Sequence, residues 1–315
     1  MSKHASLTIR SIASTLALAV LGLQACSAAS SPEQLASSLQ AAASKGDFDA
    51  AGKLVNFEGA PAELHFHFFD MVRECGGEAT CTVGAQPIAS EACAGIREKA
   101  QANARKPSFD GCLVVTTKAK DGSSSGAMEI PYAKHDSGYR IETMGYAAAE
   151  LAAIRAKTNE TLVEELFAKG LRDSAMGDLR TDWATAATRL PADGGTIGAA
   201  FVAQSQALAK AIDAKDPDAA MRSGGELNQF LFRDKEYDGK PIPMAVRKQK
   251  LHVQGLRKLR DVRVSGGYQL GDTAVLLIEA KDGIGWTVRG PIVLANEGED
   301  WSKAGDNLVS YPSTP

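Results

Sequence analysis

Five cysteines carry the chemistry that this sequence indicates most directly. One stands alone near the N-terminus, and the other four all lie between residues 75 and 112: Cys75, Cys81, Cys93 and Cys112. An even set of cysteines in an oxidising compartment predicts disulfides, here two of them. Three pairings are possible. Cys75 with Cys81 and Cys93 with Cys112 is favoured because sequence neighbours meet most easily. The spacings match no structural zinc module, so no metal or other cofactor is expected.

The fifth cysteine, Cys26, ends a segment with the anatomy of a signal peptide. Lys3 and Arg10 precede an uncharged run over residues 11–22, which is too short to cross a bilayer as a helix. The box Leu23-Gln24-Ala25-Cys26 resembles that of bacterial lipoproteins. The resemblance implies that residues 1–25 are removed and that acylated Cys26 anchors the chain permanently. In the alternative, an ordinary secretory peptide, Cys26 is a free thiol.

The residues after the cysteine refine the expected location. Ser27, rather than an aspartate, follows Cys26. By resemblance to sorted lipoproteins, this favours the periplasmic leaflet of the outer membrane. Residues 26–31 are small and polar and are expected to be a tether.

Histidines supply a second kind of possible chemistry. His65 and His67 alternate, so on a strand both could bind a metal together with Asp70 or His135. On a helix, which the neighbouring aromatic residues favour, the two histidines would diverge by about 200°. His67 with Asp70 is the best available acid–base pair. We expect an apolar core helix here instead, and hence no enzyme.

A serine motif is also present. Residues 122–126, Gly-Ser-Ser-Ser-Gly, match the Gly-x-Ser-x-Gly nucleophile pattern. That pattern requires a strand-to-helix elbow, whereas these residues lie between two predicted strands. They predict a hairpin tip.

The elements that position these residues occur twice along the chain. Residues 45–51 parallel 214–220, residues 63–69 align with 226–232, and residues 113–122 align with 275–283. The offsets are 169, 163 and 161 residues. Each third block ends in Ala-Lys-Asp-Gly, a hairpin signal after a β-rich run. The order predicts two copies of one α+β unit.

These blocks predict an α+β fold in which helices precede an antiparallel meander. The expected organisation is a signal peptide (1–25), a tether (26–31), a first domain with both disulfides (32–146), a helical connector (147–192) and a second domain (193–311). The element order resembles the nuclear-transport-factor-two-like, or cystatin-like cone, superfamily. That resemblance implies helices closing over a bent sheet and licenses no function by itself.

Charge narrows the partners. The chain has 35 basic and 38 acidic residues, and removing Lys3 and Arg10 takes its net charge from −3 to about −5, so nucleic acid is not expected as a partner. Against this acidic background, residues 247–263 are rich in Arg and Lys. Basic residues of this segment and two tryptophans are the candidate partner-binding residues: Arg247, Lys248, Lys250, Arg257, Lys258, Trp286 and Trp301.

The resulting expectation is a periplasm-facing lipoprotein with two cone-like domains that binds a protein. Its layout resembles envelope immunity lipoproteins, which neutralise secreted antibacterial effectors. Two alternatives stay open: a small-molecule or lipid pocket within a cone, lined by Phe66, Phe69 and sheet residues, and a cone-fold isomerase or dehydratase.

Overall fold

The structure, a computed structural model, describes residues 29–102, 109–168, 186–223, 242–296, 298 and 301–313. Cys26, the predicted signal segment and the block 226–232 lie outside the described residues. The helices are α1 (Pro32–Ala43), α2 (Phe48–Gly52), α3 (Ala62–Gly77), α4 (Ala94–Ala102), α5 (Ala148–Ala156), α6 (Asn159–Ala168), α7 (Gly195–Asp213), α8 (Pro217–Arg222) and α9 (Met244–Gly255). The strands are β1 (Val55–Asn56), β2 (Ala79–Pro87), β3 (Gly111–Ala119), β4 (Ser125–His135), β5 (Gly138–Glu142), β6 (Thr188–Leu190), β7 (Arg260–Leu270), β8 (Thr273–Lys281), β9 (Thr287–Asn296), β10 (Trp301–Asp306) and β11 (Val309–Tyr311).

The fold is α+β, as predicted, with two mainly antiparallel sheets. The first sheet has the order β1-β5-β4-β3-β2, in which only β1 is parallel to its neighbour. The second has the order β10-β9-β8-β7-β6, with β11 also paired to β9. The meander β2 to β5 in the first unit and the meander β7 to β10 in the second have the same connectivity.

Helices cover one face of the first sheet. Ser31 caps α1 and Pro32 begins it, as the sequence predicts. Leu35 and Leu39 recur at helical spacing and are fully buried against a core that includes Leu113 and Val115 of β3. The amphipathic pattern of α1 therefore fixes which of its faces meets the sheet.

The second sheet has helices on both faces. Ile197 and Phe201 of α7 pack with Leu276 and Ile292 on one face. On the other, Leu166 of α6 packs with Val275 and Val293. The apolar periodicity of residues 162–166 is thus explained by burial against the second sheet.

The turn after the first helix of each unit has the same geometry. Gly46 and Lys215, 169 residues apart, both have left-handed backbones, with φ of 62° and 52°. The next residues, Asp47 and Asp216, both cap the following helix with their carboxylates. These matches support the interpretation of a repeat.

The Ala-Lys-Asp-Gly hairpins also dock in the same way. In the first unit, the Lys120 backbone N–H donates to the Glu78 carbonyl just after α3, at 3.1 Å. In the second, the Gly283 N–H donates to the Leu256 carbonyl just after α9, at 3.0 Å. Helix α9 therefore occupies in the second unit the place that α3 occupies in the first.

Both disulfides lie in the first unit and have the favoured pairing. Cys75–Cys81 joins the last turn of α3 to β2, and Cys93–Cys112 joins the 3₁₀ turn over residues 91–93 to β3. All four side chains are buried. The second unit has no cysteine, so it relies on packing alone.

Candidate binding site at the junction of the two units

The two units meet where residues 249–258 of the second contact residues 46–69 of the first, a contact that we call the junction. Its centre is aromatic. His252 of α9 stacks on Phe48 with ring centroids 5.2 Å apart and meets the edge of Phe69 at 6.3 Å. Partial burial and nearby Lys215 lower the pKa of His252, whereas Asp49 acts in the opposite direction.

Arg257 fastens one side of the junction. Its guanidinium carbon lies 3.7 Å from the centroid of the buried Phe66 ring. The Nη1 group of Arg257 also donates to both Glu63 carboxylate oxygens, at 3.0 and 3.2 Å. Glu63 is shared with His67, whose Nε2 atom is 3.0 Å away. Arg257 is therefore held in place yet remains partly exposed.

Lys258, the next residue, has no such compensation. Among the described residues no carboxylate pairs with it, although its side chain is half-buried. Burial first, then the positive charges of Lys303 and Arg257, lower the Lys258 pKa to about 8. Lys303 itself is paired with Asp306. The junction thus presents a local excess of positive charge.

Other members of the basic segment have internal roles. Arg247 is 6% exposed, and its Nη2 atom binds the Asp218 carboxylate of α8 at 2.6 Å. Arg260 binds Asp213 at the end of α7, at 2.7 Å. Lys248 is exposed and Lys250 is half-buried, so these two, with Arg257 and Lys258, are the candidates that a partner can reach.

The two candidate tryptophans lie in different surroundings. Trp301 packs against the core of the second unit. Trp286 follows the β8–β9 hairpin and lies 6.3 Å from the ring of Tyr146, where the chain leaves the first unit. Neither belongs to the junction.

The histidine alternatives do not assemble into a site. His65 and His67 are on helix α3; His65 stacks on Phe57 at 4.0 Å, and His67 is 59% exposed. Asp70 pairs with Arg73, and His135 contacts Glu142. Within the described ranges, no group of three or more His, Cys, Asp or Glu side chains could hold a metal. The expected acid–base pair, His67 with Asp70, is not formed.

The remaining sequence candidates also have structural explanations. Residues 122–126 form the exposed β3–β4 hairpin, where Asp121 accepts from the Ser123 N–H at 2.8 Å. Phe66 lies under Arg257, and Phe69 packs against Phe48 and His252. These two phenylalanines therefore contribute to the junction.

Sequence reasoning missed three members of this site. Glu63 and Phe66 belong to α3, and Lys303 belongs to β10, far from the basic segment in the chain. The helical spacing of Glu63, Phe66 and His67 is the one signal that could have grouped the first two. No local pattern indicates that α3 faces α9.

Comparison with profiles of known protein families, with curated proteins and with solved structures found no match. No helix in the described part of the chain has the length and apolar character needed to cross a membrane.

Proposed function

We propose that this chain is a lipid-anchored lipoprotein of the bacterial envelope that faces the periplasm and acts by binding a protein partner. The specific role that we assign is neutralisation of a secreted antibacterial toxin. The observation that carries the binding proposal is the uncompensated positive charge of Lys258, beside Arg257 and the exposed Lys248, in a chain that is acidic as a whole.

Two features support the compartment. The segment up to Cys26 has the anatomy of a lipoprotein signal. The disulfides Cys75–Cys81 and Cys93–Cys112 form in oxidising compartments such as the periplasm. A permanent anchor and a braced scaffold are what a neutralising protein in that compartment needs.

The anchor is tested by metabolic labelling with an alkyne-bearing fatty acid in a bacterial host. The full chain is expected to be labelled and to fractionate with membranes, and Cys26→Ser to lose both properties. Ser27→Ala is the matched control. Labelling of the Cys26→Ser chain would contradict the anchor proposal.

The binding role is tested by recovering the partner and then by protection. The full chain is crosslinked in cells, and any partner is purified and sequenced. A secreted toxin is expected, and co-expression of the chain should rescue cells in which that toxin is directed to the periplasm. Failure of the purified pair to associate would end the immunity proposal.

The contact surface is tested with charge reversal. Lys248→Glu combined with Lys250→Glu is expected to weaken partner binding, because an acidic partner would meet negative charge. Lys210→Glu on α7, away from the junction, is the control. Equal binding by both variants would place the partner elsewhere.

A further inference from the structure

One positive charge at the junction remains unbalanced. The group contains three cations, Arg257, Lys258 and Lys303, and two carboxylates: Glu63, which binds Arg257, and Asp306, which binds Lys303. Lys258 is the cation left over. A half-buried ammonium without a counter-charge is costly, so its presence needs a reason other than stability.

Packing holds the cations close together. Leu259 and Trp301 both pack against the same core of the second unit, which brings the start of β7 beside β10. Lys258 precedes Leu259, and Lys303 follows Trp301 by two residues, so both cations lie at this end of the sheet. The third, Arg257, is fixed by the Phe66 ring and by Glu63.

The group is also open to a ligand. The side chains of Arg257 and Lys303 are 40% and 41% exposed, although each has a carboxylate partner. Arg257 uses Nη1 for Glu63, which leaves its other N–H groups available. An incoming oxyanion would therefore meet a positioned guanidinium and two ammonium groups.

We propose that Lys258, with Arg257 and Lys303, binds a carboxylate carried by an acidic segment of the partner protein. This inference rests on the proposed protein-binding function. A carboxylate has a single negative charge, which matches the single unbalanced positive charge. A phosphate monoester would bring a second negative charge close to Glu63 and Asp306.

The first experiment measures binding by the full chain in detergent. A fluorescent peptide of eight glutamates is the probe, and the glutamine peptide is its control. Lys258→Gln is expected to weaken glutamate-peptide binding about tenfold or more, because a hydrogen bond to a charged group is lost. Lys248→Gln, which removes an exposed lysine from the same segment, should change affinity less than twofold.

The second experiment separates a binding role from a structural one. Removing an uncompensated cation should stabilise the free protein, so Lys258→Gln is expected to raise Tm by about 3 °C. Lys248→Gln should leave Tm unchanged. A lysine with a structural role would give the opposite sign. A fall in Tm for Lys258→Gln therefore overturns the proposal.

Competitors identify the ligand chemistry. Inorganic phosphate at matched ionic strength, and phosphatidylcholine vesicles with or without phosphatidylglycerol, compete with the glutamate peptide. Weak competition by both supports a carboxylate site on a protein. Stronger binding of phosphate, selective binding of the anionic vesicles, or an unbound glutamate peptide each overturns it. Binding that depends on Lys258, with no partner recovered from cells, would leave this site in place and remove the proposed function.

Discussion

Lys258 shows how a single charge links the stability of this protein to pH. Its pKa is lowered to about 8 from an ordinary value of 10.5, chiefly because burial disfavours the charged form. The unfolded chain therefore binds the proton more tightly than the folded chain does. Below pH 8 this difference costs stability, and the cost disappears as pH rises from about 8 to 10.5.

The expected result is a rise in the free energy of unfolding of the full chain between pH 8 and pH 10, relative to Lys258→Met. Urea denaturation at each pH measures the difference between the two proteins. The Lys258→Met profile should be flatter because the titrating ammonium is gone. Parallel profiles would show that Lys258 is ordinarily solvated.

Two ion pairs in the second unit differ in burial and should differ in energy. Asp218→Asn leaves the buried Arg247 without its carboxylate and should cost about 2 kcal/mol of unfolding free energy. Asp213→Asn removes the partner of the more exposed Arg260 and should cost less than about 1 kcal/mol. Denaturant unfolding compares them, and equal costs would contradict the role given to burial.

Among the elements, the short second helix of each unit depends on its cap. Asp47 accepts from the Ala50 N–H, and Asp216 accepts from the Asp218 and Ala219 N–H groups. Since the two turns are equivalent, Asp47→Ala and Asp216→Ala should each lower the free energy of unfolding by about 1 kcal/mol.

The control for the caps is Glu164→Ala on the exposed side of α6, which should have little effect. Denaturant unfolding measures all three variants. If Asp47→Ala were destabilising and Asp216→Ala were not, the structural equivalence of the two turns would lack an energetic counterpart.

Two strands escaped the sequence analysis, and each is interrupted in a way that hides its pattern. β2 contains Gly84 and ends at Pro87, which weakens both the alternation and the propensity for a strand. β7 contains Gly266 and Gly267, both with positive φ, beside irregularities in its pairing with β8. Glycines at bulges remove the side chains on which a period-two pattern depends.

For the molecule as a whole, two histidines at the junction make stability sensitive to acid. Burial lowers the pKa of His65 in the first unit and of His252 in the second. A histidine with a lowered folded pKa is protonated more readily in the unfolded chain. Its contribution to stability therefore falls as pH drops through about 6.5, and levels off below the folded pKa.

The expected outcome is a lower free energy of unfolding at pH 5.5 than at pH 7.5. His65→Phe combined with His252→Phe should reduce this difference, because phenylalanine keeps the stacking on Phe57 and Phe48 without a titrating nitrogen. Urea titrations at both pH values measure it. An unchanged difference in the double variant would mean that other groups cause the acid sensitivity.

The sequence alone was sufficient for features whose causes are local. Apolar spacing fixed α1 and α7, the hairpin residues fixed the β3–β4 and β8–β9 turns, and proximity in the chain gave the disulfide pairing. The repeated Lys-Asp-containing turn also predicted that residues 46 and 215 would be equivalent, because capping geometry depends on a few neighbouring residues.

Only the tertiary structure decided which charges are satisfied. In the sequence, Arg247, Arg257 and Lys258 are three similar members of one basic segment. In the fold, Arg247 is buried on Asp218, Arg257 is held by Glu63 and Phe66 nearly 200 residues away, and Lys258 is left without a carboxylate among the described residues. Pairing depends on distance in space and on burial, and neither is encoded in the local spacing of residues along the chain.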